Sequence, residues 1–123
     1  MIFVQKIMTN KNDLHQTSSQ FLYLTTKGRK TTRQHIIEIW FIEYNKRYYI
    51  LSEHKKASDW VQNIIVDPNV TFNVNNKTYK GYARIIVDKI KEPILAKTVF
   101  NLMFSKYGWN DGLIVELTSN DDF

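Results

Sequence analysis

VTFNVNNKTYKGYARIIV, residues 70–87, is the stretch whose reading decides the fold. Val70, Phe72 and Val74 alternate with Thr71, Asn73 and Asn75, the period of a strand buried on one side. Asn75-Asn76 reverses the chain, and Thr78 to Val87 continues with Tyr79, Ala83, Ile85 and Val87 on one face. The stretch therefore predicts an antiparallel hairpin.

Moving back from it, Pro68 ends a predicted helix over Ala57–Asp67, which Ser58 or Asp59 can cap. Trp60, Val61, Ile64 and Ile65 form its apolar stripe, and Trp60 and Asn63, three apart, are neighbours on its surface. Before the helix, His35–Tyr44 (HIIEIWFIEY) and Arg47–Ser52 flank Asn45-Lys46, a second predicted hairpin. HIIEIWFIEY is apolar on both sides, which predicts a strand covered on both, as where a barrel wall meets a partner subunit. Gln20–Thr26 supplies a strand ahead of it. After residue 87, Pro93 opens a helix that runs to Tyr107. One of its faces carries Leu95, Val99, Leu102 and Met103, another Phe100, Phe104 and Tyr107. Gly108–Gly112 breaks it and Leu113–Leu117 is a last strand. The order β-β-β-α-β-β-α-β predicts a mainly β, α+β domain whose six antiparallel strands close into a small barrel and so remove exposed edges. Residues 1–19 read as a short amphipathic helix, an edge strand or an arm, ending in a polar linker. All 123 residues fit one domain.

Apolar residues make up 43% of the chain and aromatics 14%, which excludes a disordered polypeptide. The absence of cysteine excludes disulfides, thiolate metal sites and a thiol nucleophile, and is consistent with an intracellular protein. No apolar run reaches the ~20 residues of a membrane span, and the first residues lack a secretory h-region, so the expected location is cytoplasmic. His15, His35 and His54 have no metal-ligand spacing, and no metal site is expected.

The net charge of +5 is concentrated early in the chain. Within LYLTTKGRKTTRQ, residues 22–34, Lys27, Arg29, Lys30 and Arg33 crowd a turn with no acid among them. Gly28 is expected to turn with positive φ and expose consecutive backbone N–H groups. Such a turn suits a phosphate or a carboxylate-rich ligand, and equally reads as a solvated hairpin tip.

The run LTTKGRKT with Trp40 twelve residues after Gly28, then YYILS (48–52) and WVQNIIVDPNVTFNVNNKTYKGYAR (60–84), resembles the deazaflavin-dependent nitroreductases. Coverage is roughly residues 20–87, with a weaker echo in LIVEL. The resemblance implies a split β-barrel of the FMN-binding, pyridoxamine-phosphate-oxidase-like kind, in the main a homodimer. It also implies an oxidoreductase that uses coenzyme F420, a 5-deazaflavin with a phosphodiester and an oligoglutamate tail, to reduce a quinone, nitro compound or enone. By position, Lys27, Gly28, Arg29 and Lys30 face the phosphate and carboxylates, and Ser52 the ring edge near the substrate. Trp60 and Asn63 hold the covering helix and loop. A second arginine of the family motif falls at His35, with Arg33 two residues earlier as its substitute. A Gly-Gly loop gives way to Glu53-His54-Lys55-Lys56, and a tyrosine-rich substrate helix to Phe100, Phe104, Tyr107 and Trp109.

Each assignment has a plainer counterpart. A Trp at the place of Trp60 is more often a packing anchor, a Ser at the strand end of Ser52 more often a cap or turn hydroxyl, and Asn63 also reads as a tie to a neighbouring loop backbone. The Phe100, Phe104 and Tyr107 stripe reads more readily as core or dimer contact than as substrate wall. Two other functions fit the same residues: an FMN-binding flavoprotein of the same barrel, and a non-enzymatic basic module for nucleic acid or an anionic surface. Against nucleic acid, most aromatics fall on apolar faces that a core claims.

Overall fold

The computed structural model describes residues 20–86 and 91–121. The readings of residues 1–19 and of Val87 lie outside them. Seven strands form one antiparallel sheet in the order β2-β1-β5-β6-β7-β4-β3. They are β1 (Phe21–Lys27), β2 (Gln34–Trp40), β3 (Ile42–Tyr44), β4 (Arg47–Ser52), β5 (Asn69–Val74), β6 (Lys77–Ile86) and β7 (Leu113–Ser119). Helix α1 spans Asp59–Val66, after a 3-10 turn at Lys55–Ala57, and α2 spans Pro93–Tyr107.

The hairpins form as their turns dictate. Asn45-Lys46 and Asn75-Asn76 both place two consecutive residues at positive φ, the mirror-image turn whose twist matches the strands it joins. The inward side of the curled sheet buries Leu22, Leu24, Ile50, Phe72, Ala83, Val115 and Leu117, closed by Ile64 of α1. A second cluster lies outside, where Val99 and Met103 of α2 cover Ile42, Leu51, Ile86 and Ile114. A polar chain borders it: Tyr49 Oη donates to Glu116, and Arg84 bridges Glu116 and Glu92. Burial, and then this bond, raise the Tyr49 phenol above the ordinary tyrosine range.

The single expected strand His35–Tyr44 is two. At Phe41 its backbone is claimed by the end of α2: its N–H donates to Tyr107 Oη at 3.0 Å, while its carbonyl accepts from Tyr107 Oη and from Lys106 Nζ. The chain turns a corner there, so Ile37 and Ile39 pack inward and Ile42 packs outward onto α2. Within one chain neither half is covered on both sides: Ile36 of β2 is 65% exposed, and β3 buries Ile42 but exposes Glu43 and Tyr44. The corner also explains the seventh strand and the incomplete closure. β2 and β3 are the two edges of the sheet, continuous in sequence yet not paired with each other, and a slit opens between β2 and β4.

Candidate functional site

The slit has a volume of about 240 Å3 and is lined along one side by Ile37, Glu38, Ile39 and Trp40 of β2. Opposite them lie Leu51, Ser52, Glu53, His54, Ser58 and Trp60, with Met103 of α2 and Trp109 at the end. Trp40 stacks on Tyr107 at 4.6 Å and meets Trp109 edge-on at 6.0 Å, so three indoles frame an apolar cleft. As an edge strand, β2 aims every second N–H and C=O away from β1. The cleft therefore offers flat apolar walls together with strand hydrogen-bonding groups, which is what a planar heterocycle requires.

The basic turn is built by a tight loop. Gly28 N–H donates to the Arg33 carbonyl and Thr32 N–H to the Gly28 carbonyl. The left-handed residue is Thr32 (φ 61°), not Gly28, which corrects the expectation at that position. Gly28 is needed for space: a Cβ there would lie 2.8 Å from the Arg33 carbonyl oxygen and 2.9 Å from His35 Nε2.

The cations of this turn go to different places. Arg29 turns to α1, where Nη1 donates to Asn63 Oδ1 at 2.9 Å and Nη2 pairs with Asp59 at 3.3 Å. Asn63, buried, accepts from the Arg29 N–H as well and donates through Nδ2 to Thr26 Oγ1 at 3.0 Å. Arg29 and Asn63 thus lock the turn to the helix. Lys27 lies beyond the slit, on the outward side of β1 with Tyr23 and Thr25. Lys30, Arg33 and His35 are exposed and, among the described residues, unpaired with any acid. Arg33 and His35 precede the slit-lining residues of β2 by only a few positions.

Two further expectations change. Ser52 lines the slit, but its hydroxyl is satisfied: Oγ donates to the Lys55 carbonyl at 2.7 Å and lies 2.9 Å from Ser58 Oγ. It fixes the 3-10 turn that carries His54 and the lysines. Of the helix residues, Phe104 points outward, 57% exposed, and Tyr107 is the staple at Phe41 rather than a free substrate wall. Trp109, named in the sequence only as one of the residues replacing a tyrosine-rich helix, lines the slit from just beyond the end of α2. Sequence reading missed Ile37 and Ile39 as slit residues, because they look like ordinary core.

A curled antiparallel sheet, split at one seam and capped by two helices, is the architecture of the flavin-type split barrels. Solved structures agree on the fold. A candidate pyridoxamine 5′-phosphate oxidase of Listeria innocua superposes with a TM-score of 0.63 at 12% identity, over 83% of this chain and 85% of that one. An F420-H2 dependent reductase gives 0.55 at 18% identity over 80% and 93%. A structure described as a domain-swapped dimer gives 0.57 at 18% identity over 88% and 86%. A search of curated protein sequences found no match. The sequence profile of the F420H(2)-dependent quinone reductases matches residues 3–109, so the chain belongs to that family. It is an F420-dependent oxidoreductase, with coenzyme F420 as its cofactor. Among the described residues no helix is long and apolar enough to cross a membrane.

Proposed function

We propose that the indole-framed slit holds the deazaflavin ring, that Lys30, Arg33 and His35 meet its anionic tail, and that a quinone is the acceptor. One juxtaposition carries this reading. From Gln34 to Ile37 is three residues, ~10 Å of strand, so a single edge strand leads from an acid-free cationic turn into an apolar cleft. A ring joined to a phosphodiester and a glutamate tail has that same polarity from end to end.

When bound, the cofactor supplies the hydride chemistry. The chain's own residues grip, orient and exclude water. Trp40, Trp60 and Trp109 give the ring and a flat acceptor stacking surfaces, and Ile37 and Ile39 keep the cleft dry. Ser52 holds the turn carrying His54 at the slit's rim, and Arg29 and Asn63 position the basic turn against α1. These three act on placement, not on the reacting atoms. Lys27 is assigned elsewhere, below.

We read the assembly as a homodimer, supported by the domain-swapped relative and by Phe104 and Ile94 exposed on α2. Light scattering of the purified protein tests this, and a monomer at micromolar concentration refutes it. The cysteine-free composition favours a cytoplasmic site, which cell fractionation tests.

The test of the site is equilibrium binding of F420 and of FMN, with oxidation of reduced F420 by a water-soluble benzoquinone as the activity. F420 should bind more tightly than FMN. Arg33→Ala with His35→Ala should weaken F420 by ~10-fold or more through lost charge-assisted contacts. Trp109→Ala should raise KM for the quinone. Unchanged F420 affinity in the double variant ends the proposed tail site.

A further inference from the structure

The outward side of the sheet carries a second concavity. Strand register sets Thr25 opposite Thr71 and Thr71 opposite Lys80, a row across β1, β5 and β6. Lys27 lies opposite Gln34 beside that row. With Asn69 and Asn120 these residues line a groove of about 480 Å3, larger than the slit. Its lining holds two ammonium groups, threonine hydroxyls and three side-chain amides, with no carboxylate and no aromatic ring. Among the described residues neither Lys27 nor Lys80 is paired with an acid.

The walls are fixed. Asn120 N–H donates to the Lys80 carbonyl at 2.9 Å, tying the end of β7 against β6. At the opposite wall stands Thr32, its hydroxyl turned back on the Thr31 carbonyl. It is a β-branched residue in the left-handed region, a conformation kept against its own preference by the loop that closes around Gly28. Along β1, Leu22 and Leu24 are buried inward while Thr25 and Lys27 look outward, and buried Thr26 and Val70 form the floor where the groove meets the core.

Two unopposed ammonium groups in a concave wall call for an anion. Amides and hydroxyls, which both donate and accept, call for a hydroxylated carrier of that anion. We propose that this groove is a second site, separate from the cofactor slit, that takes a sugar phosphate or a phosphate ester of similar size. Lys27 and Lys80 hold the phosphate, and Gln34, Asn120 and the Oδ1 of Asn69, whose Nδ2 already donates to Asp67 at 3.0 Å, the hydroxyls.

The test is calorimetric titration of the full-length protein with ribose 5-phosphate, ribose and inorganic phosphate, with and without saturating F420. Ribose 5-phosphate should bind more tightly than either fragment, and equally well in the presence of F420. Lys27→Gln with Lys80→Gln should weaken it by ~10-fold or more, while Lys80→Gln alone leaves F420 affinity unchanged. Ribose binding as well as its phosphate, or affinity surviving the double variant, overturns the site. Displacement of ribose 5-phosphate by F420, or weaker F420 binding in Lys80→Gln, also overturns it, since the groove would then belong to the cofactor's tail.

Discussion

At the scale of single residues, Asn63 and Lys106 make the sharpest demands. The Asn63 amide is buried and joins three elements, giving a hydrogen to Thr26 Oγ1 and accepting from the N–H and guanidinium of Arg29. Asn63→Ala strands these partners, and chemical denaturation should show a loss of about 2–3 kcal/mol. Asn63→Asp, which keeps the acceptor and pairs it with Arg29, should lose less. Lys106 is a different case. Desolvation lowers its pKa to about 8, against a smaller opposing pull from Glu43. Below pH 8 the amine is protonated in both states, and the native state carries the cost of the buried charge. Between pH 8 and the ordinary lysine range the unfolded chain still binds a proton the native state has shed, so stability climbs with pH. Tyr49 and Tyr107 oppose this above pH 10, since burial holds their native phenols protonated while unfolded ones ionise. The difference between wild type and Lys106→Met isolates the lysine. It should move in favour of wild type by about 1–2 kcal/mol from pH 7 to 10, measured by urea titration. A flat difference means the amine is solvated.

At the scale of elements, the corner at Phe41 shapes the site. The Tyr107 hydroxyl receives the Phe41 N–H and donates in the same place, while its ring stacks on Trp40 in the slit wall. Tyr107→Phe keeps the stack and removes the staple. Stability should drop by about 1–2 kcal/mol, and hydrogen exchange should quicken at Phe41 before the rest of β2. Uniform protection across Ile39–Ile42 in the variant would show that the corner holds itself. The same corner marks what the sequence could reveal. Elements set by local signals were legible: both Asn-containing turns, Pro93 at the start of α2, and the alternation of β5 and β6 appear where residue chemistry puts them. The corner was not, because residues sixty-six positions away supply its hydrogen bonds. Ile65 fails for a related reason. It follows Ile64 on α1 and reads as the same stripe, but so short a helix presents only one side to the barrel, leaving Ile65 51% exposed. In the candidate site, the sequence singled out the cations, Ser52, Trp60 and Asn63 as residues. Their division among slit, helix clamp and outer groove follows from which strand face each occupies, and that depends on tertiary register.

At the scale of the whole molecule, charge and shape act together. The chain carries +5, with Lys30, Arg33 and His35 close together in sequence just before the slit-lining residues of β2 and the acids Asp111, Glu116, Asp121 and Asp122 gathered near the C-terminus. On the proposed reading an anionic cofactor is drawn to these cations first, through exposed charges that salt screens over ~10 Å at 0.1 M. A ring held by the indoles and isoleucines of the slit would gain from burial that salt does not weaken. The two halves of the ligand should thus differ in their response to ionic strength. Raising salt from ~0.05 to ~0.5 M, which shrinks the screening length several-fold, should weaken intact F420 by ~10-fold or more. A deazaflavin stripped of its phosphodiester and glutamate tail should keep its lower affinity across the same range. Arg33→Ala with His35→Ala should flatten the salt dependence of intact F420 and leave the stripped ring untouched. If the stripped ring proves equally salt-sensitive, the slit is not an apolar cradle and the ring lies elsewhere. If intact F420 is insensitive to salt, the tail is held by backbone groups and the cationic turn is only a solvated loop.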